Sequence, residues 1–573
     1  MKKFKALSPA VTVTAAITLL YSFIALFALG SSKAPQSFFT ATADDYMFTV
    51  NFEQQVNLGS IYTYSGLGNQ FSQPQGQKLL GEFEISVSEN GNDFYTVCDI
   101  KDLSVYTWNE TVLNSETSTK KISCVRVRAK YVSNVLYEIA FFDTDGQLLQ
   151  GKVNGSPNAI SAFDEQNTVP NDTSYYNSMY FDEIYHARTA FEQLKGYDIY
   201  ETTHPPLGKI LISLGIAVFG MTPFGWRIVG VLCGIIMIPI MYMLVNAVCK
   251  KQWIGCLAAA LLALDFMHLT QTRIATVDTY VVLFVMLTFM FMAFWHNSCW
   301  KSKKGWVYLA LSGISMGCAV SSKWNGAYPM VGLAIVFFVS LALKFQKSKK
   351  EHSDKAFVVK TLLLCCIFFV AVPVLIYTAT FTAVIDADGA SDFLRQFVGY
   401  QKHMFNYHST LVAEHFFASK WYTWPFSLKP MWYSIAEKGA LASSISAFGN
   451  PAIWVLTPAA AIYCLILGIK NKSVSKLLVG LGWLSSYLPW VAVSRLCFIY
   501  HYFPCAVFGI AAICIAVCDL CRKKPAAKKA VFVYLALCAV LFCMFLPVTL
   551  GLWVPKEYLD FLEFLPNWHF INI

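Results

Sequence analysis

Between residues 275 and 304 the chain reads "ATVDTYVVLFVMLTFMFMAFWHNSCWKSKK", an almost uncharged run followed at once by a lysine cluster. As a helix, residues 275–295 are long enough to cross a hydrocarbon core of about 30 Å, which takes roughly 20 residues. The lysines behind them are what cytoplasmic loops collect. Similar apolar runs lie near 10–29, 224–248, 253–269, 306–320, 328–343, 358–381, 452–467, 477–493, 498–517 and 531–553, giving about eleven expected spans. Composition agrees: of 573 residues, 56% are hydrophobic and 14% charged, against roughly 25% charged in a soluble protein. The expected fold class is an α-helical polytopic membrane protein lodged in a lipid bilayer.

Loop charges orient it. The N-terminal "KKFK", "CKKQ" at 249–252, "KSKK" at 301–304, "KFQKSKKEHSDK" at 344–355, "KNKSVSK" at 470–476 and "CRKKPAAKK" at 521–529 fall on one face of an eleven-helix arrangement. By the positive-inside rule the N-terminus is then cytoplasmic. The net charge of +9 is accounted for by topology, so it does not indicate a nucleic-acid partner. The run at 10–29 is long for a signal peptide and lacks a small-x-small cleavage site, so it reads as an uncleaved first helix, residues 1–30. Most of the 17 cysteines sit in apolar runs and behave as small hydrophobes. Cys98 and Cys124 stand together in a polar segment, where a disulfide and two free thiols are both open readings.

Two loops face outward on this topology. The first, within 31–175, alternates polar and apolar residues in "EFEISVSENGNDFYTV" and "KISCVRVRAKYV", the period of half-buried strands. "ENGND" has hairpin-turn chemistry. An all-β insertion of about 110 residues is expected, a usual domain size. "ISVSENGNDFYTV" with "VRVRAKY" and "LYEIAFFDTDGQLL" resembles the discoidin-like jelly rolls (coagulation factor 5/8 type C), which often bind sugars. A structural cap and a binding module both remain open. The second loop, 383–450, holds "YHSTLVAEHFFASKWYTWPFSLKPMWY", which reads as an interfacial aromatic belt or as a wall beside an active site. A four-helix region, 451–573, follows it.

Within 176–382 the segment "FDEIYHARTAFEQLKGYDIYETTHPPLGK", residues 181–209, concentrates polar chemistry. Ile184, Ala187, Ala190, Phe191 and Leu194 would form one apolar face of a helix lying flat on the membrane surface, with Asp182 and Glu183 at its N-terminal end. Helix capping is the plain alternative for Asp182. In "HPPLGK", Pro206 suits a first helical turn and Gly208 permits close packing. His204 and Lys209 are left where a phosphate would sit, or are a surface histidine and a snorkelling lysine. Further charges lie near predicted outer helix ends: Arg227, Arg273 with Asp278, Lys323, and Arg495 with His501. Intramembrane charge is costly and usually has a partner or a function; Arg273 and Asp278 would neutralise each other in the plain reading. No cluster has metal-ligand spacing. Several cations converging on a face with an acidic pair suit a phosphate leaving group and a general base.

"FDEIYH", "THPPLGK", "FGWRIVGVLCG", "TRIATVDTYVVLFVML", "SSKWNGAY", "GNPAIWV" and "RLCFIYHYFP" stand in the order in which the protein O-mannosyltransferases carry such motifs, and the chain resembles that family over roughly residues 180–553. The resemblance implies an inverting GT-C glycosyltransferase. It would move mannose from a polyprenyl-phosphate-linked donor to Ser or Thr of an exported protein acceptor, with its active site outside the cytoplasm of a bacterial plasma membrane. It implies Asp182 as general base, Glu183 as an orienting neighbour, and His204, Lys209, Arg227, Lys323 and Arg495 as candidate partners of the lipid phosphate. It implies no cofactor and no metal. The chain departs from the family by inserting the β-rich loop and by lacking the MIR domain of eukaryotic members, which points to a bacterial type. Two rivals are weighed beside it. One is the same chemistry on a cell-envelope glycan or lipid. The other is a transporter or flippase, which would predict inverted repeats.

Overall fold

The computed structural model describes residues 8–67, 81–101 and 104–571. Lys2, Lys3 and Lys5, the first of the six basic clusters, lie outside them. Among the described residues nine helices are long and apolar enough to span: Pro9–Leu26, Pro223–Cys249, Asp278–Asn297, Lys303–Ser322, Trp324–Lys347, His352–Ala383, Pro451–Lys470, Ile499–Lys523 and Ala527–Leu550. The protein is a multi-pass membrane protein.

The expected eleven spans become nine or ten. The run expected at 253–269 is a broken pair, Gln252–Ala263 and Phe266–Arg273, bent by 59°. The cause is Asp265, which cannot continue an apolar helix and instead caps the second half, accepting from His268 N at 3.2 Å. The same carboxylate accepts from Trp454 Nε1 at 2.8 Å and Asn450 N at 3.3 Å. The run at 477–493 yields a helix of only 14 residues, Val474–Tyr487, before a 3₁₀ turn that begins Leu488-Pro489. A further apolar helix of 13 residues, Leu207–Phe219, is too short for the sequence pattern to register as a span.

The chain divides into two compact units. One comprises the N-terminal helix, Glu201–Ile212 and the chain from Ile228 onward; the other comprises Ala28–Tyr200 and Ser213–Arg227.

The second unit is built on β1 (Phe39–Thr40), β2 (Met47–Ser65), β3 (Phe83–Ser88), β4 (Tyr95–Ile100), β5 (Thr107–Val112), β6 (Lys121–Ala129), β7 (Val135–Leu136), β8 (Glu138–Asp143) and β9 (Lys152–Asn154). The long β2 serves two sheets. Its first half pairs with β6 and β9 and its second half with β5 and β8, the change following a register shift between Asn51 and Val56. Alternating apolar residues of these strands, among them Phe48, Val50, Ile61, Ile85, Val127 and Phe141, bury into one core. β3 and β4 form the hairpin expected from "ENGND", closed by Asn90 Oδ1, which accepts from the N–H groups of Asn92 and Asp93. Cys98 and Cys124 are both free. They lie on β4 and β6, on opposite sides of β3 and opposite Ile85 and Ser88 respectively, hence more than about 10 Å apart, beyond the roughly 7 Å reach of a disulfide.

In the helical unit the loop at 383–450 contributes structure that its aromatic content concealed. β10 (Met431–Lys438), β11 (Leu441–Ala447) and β12 (Trp553–Pro555) form a three-stranded antiparallel sheet in that order.

Candidate functional site

In the unit built on β1–β9, Glu183–Lys195 is a helix whose N-cap residue is Asp182. The Asp182 side chain accepts no capping hydrogen bond from it, although carboxylates at N-caps normally do. Its backbone carbonyl starts the helix, accepting from Tyr185 N and His186 N at 3.1 Å each, and the residue is half-buried. The capping alternative for its side chain therefore does not hold.

Glu183 is wholly buried and answers to Arg227, itself 1% exposed. Arg227 Nε donates to Glu183 Oε1 at 2.8 Å and Nη2 to Oε2 at 2.7 Å. Trp226 Nε1 adds a bond to Oε2 at 3.1 Å. The remaining guanidinium N–H groups donate to the carbonyls of Leu29, Tyr175 and Ser178 at 2.8–3.0 Å. A guanidinium has five N–H donors, and all five are committed to the protein. This corrects the expectation that Arg227 meets the lipid phosphate: it ties the Asp-Glu helix to the chain around it.

The helix is buried differently from its apolar stripe. Ala187 and Ala190 point inward as expected, but Leu194 is exposed, while Arg188 and Glu192 are buried as an ion pair of 2.7 Å. Glu192 also accepts from Tyr200 N at 2.8 Å. The β domain reaches this helix directly. The ring of Tyr106 packs edge-on against Phe191, Met179 N donates to Tyr106 O, and Trp108 N donates to Ser178 Oγ.

Within the helical unit "HPPLGK" forms a turn entering Leu207–Phe219, with Pro206 O accepting from Ile210 N at 3.0 Å. A Cβ on Gly208 would lie 2.7 Å from Val277 Cγ1, so glycine lets this turn pack beside the start of the Asp278 helix. Lys209, 1% exposed, donates to the Glu201 carboxylate, to Glu201 O at 2.8 Å and to His204 O at 3.2 Å. An ammonium has three donors, so Lys209 locks the turn and is likewise corrected as a phosphate ligand. Its partner Glu201 was missed. The signal was a carboxylate eight residues upstream in the same motif, in "YETTHPPLGK".

Asp278 does not neutralise Arg273. It holds Lys323 Nζ in a two-oxygen contact at 2.9 and 3.0 Å, while Arg273 Nη1 donates to Ala25 O and Phe27 O at 2.6 and 2.8 Å. Lys323 Nζ also lies 5.8 Å from the Tyr500 ring centre. His501 is a buried packing residue stacked on Tyr500 and set against Trp490, with Nδ1 accepting from Phe498 N at 3.2 Å. His204 stacks on His408 at 5.1 Å, and His408 Nε2 donates to Thr203 O at 2.9 Å. Burial, and then the charges of Arg495 and Lys323, push the His408 imidazole down to about 4, so it is neutral at neutral pH. Arg495 is half-buried and, among the described residues, meets no carboxylate. Its charge is therefore not neutralised by an ion pair among the described residues.

Sequence comparison shows which family the chain resembles. Residues 171–386 match the family model described as dolichyl-phosphate-mannose-protein mannosyltransferase, and residues 393–568 match the C-terminal four-transmembrane region of protein-O-mannosyltransferase. Together the two matches span more than half of the chain. The chain belongs to the protein O-mannosyltransferase family. It is 23% identical over 453 residues to the polyprenol-phosphate-mannose–protein mannosyltransferase of Mycolicibacterium smegmatis, covering 68% of this chain and 87% of that one. Against the protein of the same name from Corynebacterium glutamicum it is 24% identical over 482 residues, covering 73% and 90%. The structure of the Saccharomyces cerevisiae protein O-mannosyltransferase Pmt1–Pmt2 complex bound to the sugar donor superposes with a TM-score of 0.61 at 15% identity, covering 68% of this chain and 89% of that one. The fold is thus that of the family, with GT-C architecture, and the relatives of similar length are bacterial.

Proposed function

We propose that this protein is an inverting glycosyltransferase that moves a mannosyl residue from a polyprenyl-phosphate carrier to Ser or Thr hydroxyls of exported proteins. The observation that carries the reading is the division of labour in the Asp-Glu pair. Glu183 is consumed by Arg227, whereas Asp182 is half-buried and does not cap its own helix. A half-buried carboxylate at the start of the helix, whose side chain does not cap that helix, suits a general base.

In the reaction the acceptor oxygen attacks the sugar C1 from the face opposite the phosphate. The C1–O bond breaks, its electron pair leaves with the phosphate, and the hydroxyl proton passes to Asp182. Charge grows on the leaving phosphate, and a cation placed in advance lowers that barrier. Arg495 fits this role because no described carboxylate neutralises it, and its guanidinium matches phosphate geometry. Lys323, shared with Asp278, and His204 are the supporting groups. The basic clusters between helices support a cytoplasmic N-terminus and a reaction on the outer side of a bacterial plasma membrane.

Membranes containing the protein, given labelled polyprenyl-phosphate-mannose, test the reading by where the label goes. Label on protein Ser or Thr is expected. Label on an envelope glycan or lipid would change the acceptor, and label on neither would overturn the assignment.

A further inference from the structure

The β10–β11 hairpin turns at Gly439, φ +56°, with Lys438 and Leu441 as the closing pair. Hydrogen-bonded pairs alternate along an antiparallel ladder. Lys438–Leu441, Ala436–Ser443 and Ser434–Ile445 therefore bond across the hairpin, and the N–H and C=O groups of Ile435 and Glu437 point the other way. The far side of β11 agrees, since Ala442 aligns with Val554 and Lys556 N donates to Ala440 O at 3.0 Å. β10 is an edge strand. Among the described residues nothing hydrogen-bonds to the outward groups of Ile435 and Glu437, and Ile435 is 37% exposed. Natural sheets usually blunt such an edge with proline, lysine or a bulge. β10 carries a bulge and a lysine only at its two ends, Trp432–Ser434 and Lys438, and the stretch between them holds neither a proline nor a lysine.

A register shift between Trp432 and Ser434 places a bulge at the inner end. There Tyr433 donates to Gln271 Oε1 at 2.6 Å, and Gln271 Nε2 donates to Thr276 Oγ1 at 3.1 Å, two residues before Asp278. The Tyr433 ring lies 6.5 Å from that of Tyr500, the ring beneath Lys323. The open edge thus runs outward from the Asp278–Lys323 centre.

We propose that the acceptor polypeptide docks as an added strand along β10, with its reactive Ser or Thr at the inner, Tyr433 end. The proposal rests on the mannosyltransferase reading above. Strand addition draws its affinity from main-chain hydrogen bonds and reads side chains only at alternate positions. That suits an enzyme whose acceptors share a hydroxyl and little else.

The test uses the full-length protein in membranes, labelled polyprenyl-phosphate-mannose and a synthetic Ser/Thr peptide N-methylated at one backbone position at a time. Each methyl removes one donor, and a main-chain bond is worth about 1 kcal/mol, so the acceptor KM should rise roughly tenfold with the added clash. It should do so at every second residue only. Ile435→Pro is the protein-side counterpart: proline is tolerated where a strand N–H faces away from the ladder, and the acceptor KM should again rise about tenfold. A scan without alternation overturns the proposal even if the variant fails to fold. So does a parental KM in Ile435→Pro, or a change in its oligomeric mass, which would assign the edge to a second copy. If no peptide receives mannose at all, the reading beneath the proposal fails instead.

Discussion

Glu183→Gln and Asp182→Asn make the same chemical change one residue apart and should give opposite results. The Glu183 carboxylate accepts from Tyr180 N, Trp226 Nε1 and two nitrogens of Arg227 among others. Glutamine keeps one acceptor oxygen, presents an NH2 to one of the Arg227 donors and removes the counter-charge. Arg227 is 1% exposed, so water cannot replace what is lost. Removing one partner of a buried pair costs about 3–5 kcal/mol, a large share of a typical folding stability of about 5–15 kcal/mol. Large membrane proteins commonly unfold irreversibly, so the fitting assay is the half-life of the detergent-solubilised protein at a fixed temperature. Glu183→Gln should shorten it steeply. Asp182→Asn breaks no capping bond and should keep the parental half-life, while mannosyl transfer falls about a hundredfold or more. The reasoning is refuted if Glu183→Gln survives heating as well as the parent, or if Asp182→Asn loses stability in step with activity.

Arg495→Gln should lower transfer by about tenfold or more at unchanged half-life, because no ion pair is broken, and Arg495→Lys should recover part of it; parental transfer in Arg495→Gln would remove the residue from the reaction. Deleting residues 36–151 should abolish donor binding as well as transfer, since Tyr106 and Trp108 hold the segment around Ser178, Met179 and Phe191; a deletion protein that binds donor normally would make the β domain a removable module. Burial, and the nearby Asp164 and Glu165 carboxylates, push the Glu138 carboxyl up to about 8. A raised carboxyl favours the fold below the unfolded value of about 4.5 and loses that contribution as pH rises through 8, so stability should fall across that window and Glu138→Gln should flatten the fall. Identical pH profiles for parent and variant would count against it.

The spans were legible because crossing a bilayer demands length and apolarity, and both are local properties of sequence. The break at Asp265 was not, because its partners Asn450 and Trp454 lie nearly two hundred residues away. The same distance hid the fate of Arg227. A charged residue near a helix end reads as a phosphate ligand until its partner is known, and Glu183 is forty-four positions upstream. Glu201 and Lys209 were close enough to be paired by eye, but the lysine was read for its charge alone. Asp182 reads from sequence either as a helix cap or as a base, and the absence of a side-chain cap bond, which depends on three-dimensional placement, removes only the first. The β10–β11 hairpin was concealed by composition. Aromatic residues around it suggested an interfacial belt, while the telling signal was the glycine between two short alternating runs in "SIAEKGALASSI".

The carboxylate at the bend also imposes an order on biogenesis. Asp265 leaves the ribosome about 185 residues before Asn450 and 189 before Trp454, a lag of roughly 10–40 s at bacterial synthesis rates. Throughout that interval the two half-helices carry an acid without its tryptophan and asparagine partners, at a cost of several kcal/mol if it is already in lipid. The first half of the protein cannot settle until the "GNPAIW" segment arrives. A released chain truncated before residue 450 should be held at the insertion machinery or degraded, and one truncated just beyond Trp454 should be the first to leave it.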